Sequence, residues 1–113
     1  MPAWQWAVLL ADLDPTVGSE QAGRRPVLVV SNEDSNQTLA NVTVLPLTST
    51  KRMIYPAETL LPADLAGQPH DSIIMAHQIR TISKSRIVKI YGYLADVTLQ
   101  SRVRDALADH LDR

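Results

Sequence analysis

Short apolar runs, each ended by proline, glycine or polar residues, limit what this chain can fold into. Trp6–Leu10 leads into the polar turn Asp12–Pro15, and the run Val27–Val30 follows Pro26 directly. Runs of this length are too short for helices, and their β-branched residues favour strands. Asn41–Leu47 repeats the pattern. The chain is therefore predicted to be mainly β.

Weaker signals extend this pattern towards the C-terminus. The predicted turns are Ser31–Asn36 and Thr81–Arg86, and Leu60–Gly67 is predicted to form one helical turn. The remaining predicted strands are Ala57–Leu61, Asp71–Arg80 with a bulge near its middle, and Ile87–Leu94. About six strands of mixed length favour a small barrel.

A single amphipathic helix is predicted to follow the last strand. Asp96 is a good N-cap, and apolar residues recur with helical spacing behind it. These residues are Leu99, Val103, Ala106, Leu107 and Leu111. We expect this helix to close the barrel or cover its open end.

Composition narrows the class of protein. With 113 residues, of which 45% are hydrophobic, the chain is predicted to form one domain over residues 1–113. It has no cysteine and three scattered histidines, so neither a disulfide nor a metal site nor any cofactor is predicted. The N-terminal residues lack a basic region followed by an apolar one, and no apolar run is long enough for a membrane span. We therefore expect a cytoplasmic protein.

Charge is balanced overall and uneven locally. The net charge is −1, yet the stretch from Arg80 to Lys89 holds four cations and no acid. Such a stretch suits the tracking of nucleic-acid phosphates, although a solvated strand edge has the same composition. Any nucleic-acid surface is therefore predicted to be local.

Two arginines stand at the start of a predicted strand. Proline after Arg25 favours extended backbone, which aims the guanidinium of Arg25 at an anion such as a phosphate. Arg24 adds a second cation, although both could be solvated surface residues. Glu20, on the preceding loop, could instead form an ion pair with Arg25. Thr48, at the end of another strand, offers a hydroxyl donor for a phosphate oxygen.

The same blocks, taken in order, resemble the MazF/PemK (Kid) family of toxin endoribonucleases from bacterial toxin–antitoxin systems. The resemblance is collinear over nearly the whole chain. It rests on Asp12–Pro15, Gly18–Asn32, Pro46–Ser49, Asp71-Ser72, and Gln78–Thr81 followed by Lys84–Arg86. It implies a small SH3-like (CcdB/PemK-type) barrel with a C-terminal helix, a homodimer, and RNA bound along the dimer groove.

The resemblance also implies chemistry and partners. The family cleaves single-stranded RNA at short sequences without a metal, leaving a 2′,3′-cyclic phosphate and a 5′-hydroxyl. Arg25 and Thr48 match its active pair, with Arg25 stabilising the phosphorane and Thr48 holding the scissile phosphate. Block-by-block matching implies RNA contacts for Ser19, Glu20, Gln21 and Gln78. The cations of the predicted strand start and of the basic stretch, together with a histidine next to Gln78, complete the expected RNA-binding residues: Arg24, Arg80, Lys84, Arg86 and His77. A MazE-like antitoxin with an acidic disordered tail is expected to compete with RNA.

The chain departs from the family pattern at two positions. Trp6-Ala7 stands where Gly-Asp or Gly-Glu is common, and His77 stands where an acid is common. His77 thus offers an imidazole as a candidate base in place of a carboxylate, although a histidine in an apolar strand is also a common core or interface residue.

Two other functions remain open. One is a non-enzymatic toxin like the CcdB gyrase poisons, which bind a protein target. The helix end Asp109–Arg113 lacks the ending associated with those poisons. The other is an inactive interaction module on the same fold, against which the retention of Arg25 with Thr48 argues.

Overall fold

The computed structural model describes residues 3–15 and 17–112. The residues outside it are Met1, Pro2, Thr16 and Arg113. The structure therefore describes neither end of the predicted domain 1–113, nor the last residue of the segment Asp109–Arg113. The strands are β1 (Ala7–Asp12), β2 (Arg24–Val29), β3 (Asn41–Thr48), β4 (Glu58–Leu61), β5 (Ser72–Met75), β6 (Arg80–Ser83) and β7 (Ile87–Tyr93). The helices are α1 (Glu33–Thr38) and α2 (Val97–His110). Within the described ranges, no helix is both long and apolar enough to cross a membrane.

The strands form one antiparallel sheet. Their order is β4-β5-β3-β2-β1-β7, and β6 pairs with β3 outside this path. The prediction of a mainly β fold with a C-terminal helix is confirmed. Closure of the sheet into a barrel remains a prediction, because this strand order runs from β4 to β7 without joining them.

Alternating side chains build a core on each face of the sheet. Val8 and Leu28 face the cluster that contains Leu99 and Val103 of α2, whereas Leu9 belongs to a second cluster on the opposite face. The predicted cap is confirmed, since Asp96 Oδ1 accepts a hydrogen bond from Leu99 N at 2.9 Å. Burial on both faces explains why the strands read as continuous apolar runs.

Two local predictions are wrong. The predicted turn Ser31–Asn36 contains the start of α1, which Asn32 caps by accepting a hydrogen bond from Ser35 N at 2.9 Å. The predicted helical turn Leu60–Gly67 is instead the end of β4 followed by a non-helical turn. Fully buried Gln68 organises that turn, because its side chain bonds backbone groups that a helix would pair internally.

The predicted long strand Asp71–Arg80 is two strands along one edge of β3. A 3-10 turn, Ala76–Gln78, separates β5 from β6. Leu45 and Pro46 of β3 lie between the stretches that pair with β6 and β5, and Pro46 has no N–H to offer a neighbour. The predicted turn Thr81–Arg86 is wrong in its first half, which belongs to β6, whereas its second half, Lys84–Arg86, is a 3-10 turn.

Glu33 joins α1 to the N-terminal segment and makes stability sensitive to acid. Burial alone would raise the pKa of Glu33, but hydrogen bonds from Gln37, Gln5, Trp4 and Asn36 outweigh it and lower the pKa from 4.5 to about 2. Because the folded pKa is depressed, this stabilisation is complete above pH 4.5 and is lost as pH falls towards 2.

We expect Glu33→Gln to lower the free energy of unfolding at pH 7 by about 1–2 kcal/mol, discounted for partial exposure. Urea titrations at pH 7 and pH 3 measure it, and the difference between the two proteins should shrink at pH 3. Asp34→Asn, which changes an exposed neighbour in the same helix turn, is the control. An equal loss at both pH values would contradict this role.

Candidate active site

Strand pairing brings the two predicted catalytic residues together. The antiparallel pairing of β2 with β3 ends at Val27 and Pro46, and Arg25 and Thr48 each lie two residues beyond that end on their own strand. Arg24, Arg25 and Thr48 line one cavity of about 300 Å³. This part of the predicted site is therefore a physical cleft between the start of β2 and the end of β3.

Arg25 is anchored and still has free donors. Its Nε donates to the carbonyl of Ala22 at 3.0 Å, which leaves the two terminal nitrogens of the guanidinium available. Within residues 3–15 and 17–112, no carboxylate lies within ion-pair distance of Arg25. The alternative ion pair with Glu20 is not formed, since Glu20 Oε1 accepts from Val17 N at 3.2 Å. Arg25 is thus able to receive an anion with both terminal nitrogens.

Thr48 lies almost buried at the floor of the cavity. Thr48 is 6% exposed. Its Oγ1 donates a hydrogen bond to Thr50 Oγ1 at 3.1 Å and accepts one from Thr50 N at 3.3 Å. Pairing with Ile73 of β5 fixes the backbone on its other side. The hydroxyl position is therefore set by two strands and by the turn that follows β3.

The cavity holds further polar residues that the sequence prediction did not select. They are Ser49, Gln68, His70, Ser72 and Tyr91. His70 and Ser72 come just before or at the start of β5, which pairs with the end of β3. Had the β3–β5 pairing been recognised, it would have shown that this segment lies beside Thr48.

The β1–β2 loop carries Ser19, Glu20 and Gln21 and is held at several points. Gln78 Nε2 donates to the carbonyl of Ser19 at 3.5 Å, a long contact that places Gln78 near the loop tip. At the loop base, Arg86 donates to the carbonyls of Asp12 and Asp14, and Arg80 donates to that of Leu13 at 3.4 Å. Arg80 and Arg86 therefore brace the loop.

Two predicted RNA-binding residues lie elsewhere. Lys84 Nζ donates to the carbonyl of Asn36 and lies 4.9 Å from the centre of the Trp4 ring. His77 lies in the 3-10 turn, with Nδ1 3.7 Å from Glu58 Oε2, and does not line the cavity of Arg25 and Thr48. The expectation that His77 sits in a strand is wrong. Contact of either residue with RNA stays a prediction.

A larger cavity of about 590 Å³ adjoins the first. The two share Ser49, His70 and Ser72, and the β3–β4 loop lines the larger one. That loop adds Lys51 and Arg52, although Glu58 already pairs with Arg52 through two hydrogen bonds of 2.7 and 2.6 Å. Together the cavities form a cleft whose lining holds four cations and several hydroxyls beside one carboxylate, Asp71, a surface suited to an extended polyanion.

Comparison with known proteins identifies the family. The model of the PemK-like, MazF-like toxins of type II toxin–antitoxin systems matches residues 5–111. The chain belongs to this family. The resemblance predicted from the sequence is confirmed.

Endoribonuclease MazF9 of Mycobacterium tuberculosis is 38% identical over 106 residues, which cover 89% of each chain. Endoribonuclease EndoA of Bacillus subtilis is 38% identical over 88% of this chain and 86% of its own. MazF from Deinococcus radiodurans superposes with a TM-score of 0.84 at 28% identity, covering 99% of this chain and 97% of that one. The chain thus spans most of the length of family members that are named as endoribonucleases.

Proposed function

We propose that this toxin-family protein cleaves single-stranded RNA by attack of the ribose 2′-hydroxyl on the adjacent phosphate, without a metal ion. The O2′–P bond forms as the P–O5′ bond breaks, which leaves a 2′,3′-cyclic phosphate and a 5′-hydroxyl. The observation that supports this proposal is the shared cavity of Arg25 and Thr48, in which no carboxylate of the described residues neutralises the guanidinium.

The cavity suits this reaction because negative charge develops around phosphorus in the transition state, and the cavity offers donors for it. The terminal nitrogens of Arg25 stabilise the charge that develops on the phosphorane oxygens, and the hydroxyl of Thr48 turns from Thr50 Oγ1 to donate to a non-bridging oxygen. Holding the 2′-oxygen in line with the P–O5′ bond supplies much of the remaining rate. Arg24, in the same cavity, pairs with a neighbouring phosphate.

Bases on either side of the cut are read by the β1–β2 loop and by Gln78. Ser19, Glu20, Gln21 and Gln78 offer amide, hydroxyl and carboxylate groups at or near the loop tip. These groups contact unpaired bases, because the base edges of an RNA duplex are hidden from side chains. We therefore propose single-stranded RNA as the substrate class and the cytoplasm as the place of action.

We also propose a homodimer. The edge strand β7 pairs with β1, and no second strand partner is found among the described residues. Val88 and Ile90 on this strand are both 45% exposed. Apolar side chains on an unpaired edge are suited to burial against a second copy of the chain.

An acidic antitoxin segment is the proposed inhibitor. An endoribonuclease from mycobacterial species has been solved in complex with its cognate antitoxin, and it matches this chain with a TM-score of 0.77 at 28% identity. Arg24 and Arg25 line the cleft and have no carboxylate partner in the part of the chain that the structure describes, so they are available to pair with acidic side chains of such a segment. The segment would then compete with RNA for the same cations.

A cleavage assay in excess chelator tests the proposed activity. The purified protein is incubated with a long single-stranded RNA in EDTA, and the products are examined by mass spectrometry. We expect discrete fragments with cyclic phosphate ends, and no cutting of the same RNA annealed to its complement. An RNA left intact by a folded protein would overturn the proposal and favour a CcdB-like toxin that binds a protein target such as DNA gyrase.

A further inference from the structure

His70 lies where the two cavities of the cleft meet. It lines the cavity of Arg25 and Thr48, and it also lines the larger cavity beside the β3–β4 loop. We propose that His70 is the general base of RNA cleavage and takes the proton from the attacking 2′-hydroxyl. This inference rests on the proposed function and names a residue for a step that Arg25 and Thr48 leave unassigned.

The fold holds the backbone at His70 firmly. Gln68, which is fully buried, donates from Nε2 to the carbonyl of His70 at 3.2 Å and to that of Pro62 at 2.7 Å. Ser72 Oγ donates to the same His70 carbonyl at 2.9 Å. The neighbouring Asp71 accepts a hydrogen bond from Ala63 N at 2.7 Å. The imidazole is therefore carried by an anchored turn, a suitable mount for a group that must meet one substrate atom.

A close backbone approach fixes the same turn against β7. Gly67 has a φ of +85°, and a Cβ added there would lie 2.3 Å from the carbonyl oxygen of Tyr91. A Cβ on Gly92 would lie 2.6 Å from the carbonyl oxygen of Ala66. Both positions require glycine for this packing. The turn that carries His70 is thus pressed against the strand that supplies Tyr91 to the cavity.

The chemistry needs a proton acceptor, and the cavity offers one. Formation of the O2′–P bond releases the proton of the 2′-hydroxyl, while the departing O5′ must gain one. Arginine stays protonated and can only donate, and threonine and serine hydroxyls are poor acceptors of a full proton. Among the described residues that line the cavity of Arg25 and Thr48 there is no carboxylate and no second histidine. The acceptor role therefore falls to His70, whereas Arg24 and Arg25 remain as donors towards O5′.

Charged and titratable groups reach the cleft around His70 from several elements. Arg24 and Arg25 come from β2, Tyr91 from β7, Lys51 and Arg52 from the β3–β4 loop, and Asp71 from the turn itself. Histidine is the side-chain type whose ordinary charge change falls between about pH 5 and 8, and His70 is the one histidine among the described residues that line these two cavities. A rate change inside this window is therefore attributable to an imidazole.

Single-turnover cleavage of an RNA oligonucleotide by the full chain tests the proposal. We expect His70→Gln to lower the cleavage rate constant by about 10²-fold or more, with RNA affinity changed far less. The wild-type rate should rise with pH and then level, and the variant should lose this rise. His110→Gln, which changes another exposed histidine near the end of α2, is the matched control and should keep both rate and profile.

A substrate with sulfur in place of the bridging O5′ separates base from acid. Sulfur leaves without needing a proton, so this substrate restores the rate only when a general acid is missing. We expect His70→Gln to stay slow on it, and a restored rate would overturn the assignment as base. Wild-type rate and pH profile in His70→Gln would also overturn it. An inactive wild-type protein would instead refute the proposed function, so the two failures are distinguishable.

Discussion

Arg25→Ala should abolish most RNA cleavage while leaving the fold intact. Removing a donor that stabilises developing charge in a pre-organised site costs about 10²–10³-fold in rate. Arg25 donates to the Ala22 carbonyl and otherwise faces the cleft, so its loss removes one loop contact and no ion pair within the described residues. We expect single-turnover rates to fall by at least that factor, with thermal unfolding little changed.

Two further variants sharpen this prediction. Arg25→Lys keeps the charge and loses the planar fork, so it should recover only a small part of the rate. Arg104→Ala removes a guanidinium that belongs to α2 and lies 5.1 Å from the centre of the Trp6 ring. This variant should cleave RNA like wild type. An Arg25→Ala protein that cuts at the wild-type rate would refute the role of this residue in catalysis.

Much of the fold could be predicted from local signals. The run after Pro26, the apolar strand Asn41–Leu47 and the helix behind Asp96 each carry a pattern that one segment determines alone. The segment from Asp71 to Arg86 was predicted less well, because its division into β5, a 3-10 turn and β6 depends on where β3 offers partners. Such an outcome depends on tertiary pairing.

The residues of the candidate site also divide into those that local sequence predicts and those that depend on tertiary pairing. Arg25 and Thr48 were selected because each stands at the end of a strongly predicted strand within a block of the family. His70 was not selected, since its place beside Thr48 depends on the β3–β5 pairing and on the turn built around Gln68. Lys84 is predicted to bind RNA because it lies in a basic stretch. Composition alone does not show that its amine donates a hydrogen bond to the Asn36 carbonyl.

Removing the charge of Arg52 should destabilise the protein strongly at neutral pH. The Glu58 carboxylate has a fully buried side chain and receives two hydrogen bonds from Arg52 and one from Tyr55 N at 2.8 Å. Burial by itself raises the pKa of Glu58, but the hydrogen bonds from Arg52 and Tyr55 and the charges of Arg52 and His77 outweigh it, so the pKa is lowered. Without its cation, this buried carboxylate costs about 3 kcal/mol.

The sign of the pH dependence distinguishes this loss from general damage. In wild type the depressed pKa means that Glu58 stabilises the fold above its unfolded pKa and less as pH falls. In Arg52→Met the raising effect of burial is opposed only by the Tyr55 hydrogen bond and by His77, so the pKa of Glu58 in the folded protein rises. The loss should therefore be largest near pH 7 and shrink towards pH 4, as urea titrations at both values can measure.

Lys51→Met is the matched control, because it removes the adjacent, exposed cation of the same loop. It should leave the free energy of unfolding nearly unchanged at both pH values. The double variant Arg52→Met with Glu58→Gln removes the stranded charge as well and should regain part of the stability at pH 7, since a neutral amide is cheaper to bury than a carboxylate. A double variant less stable than Arg52→Met at pH 7 would show that the buried charge is not the cause, and that the loop instead depends on the shape of these two side chains.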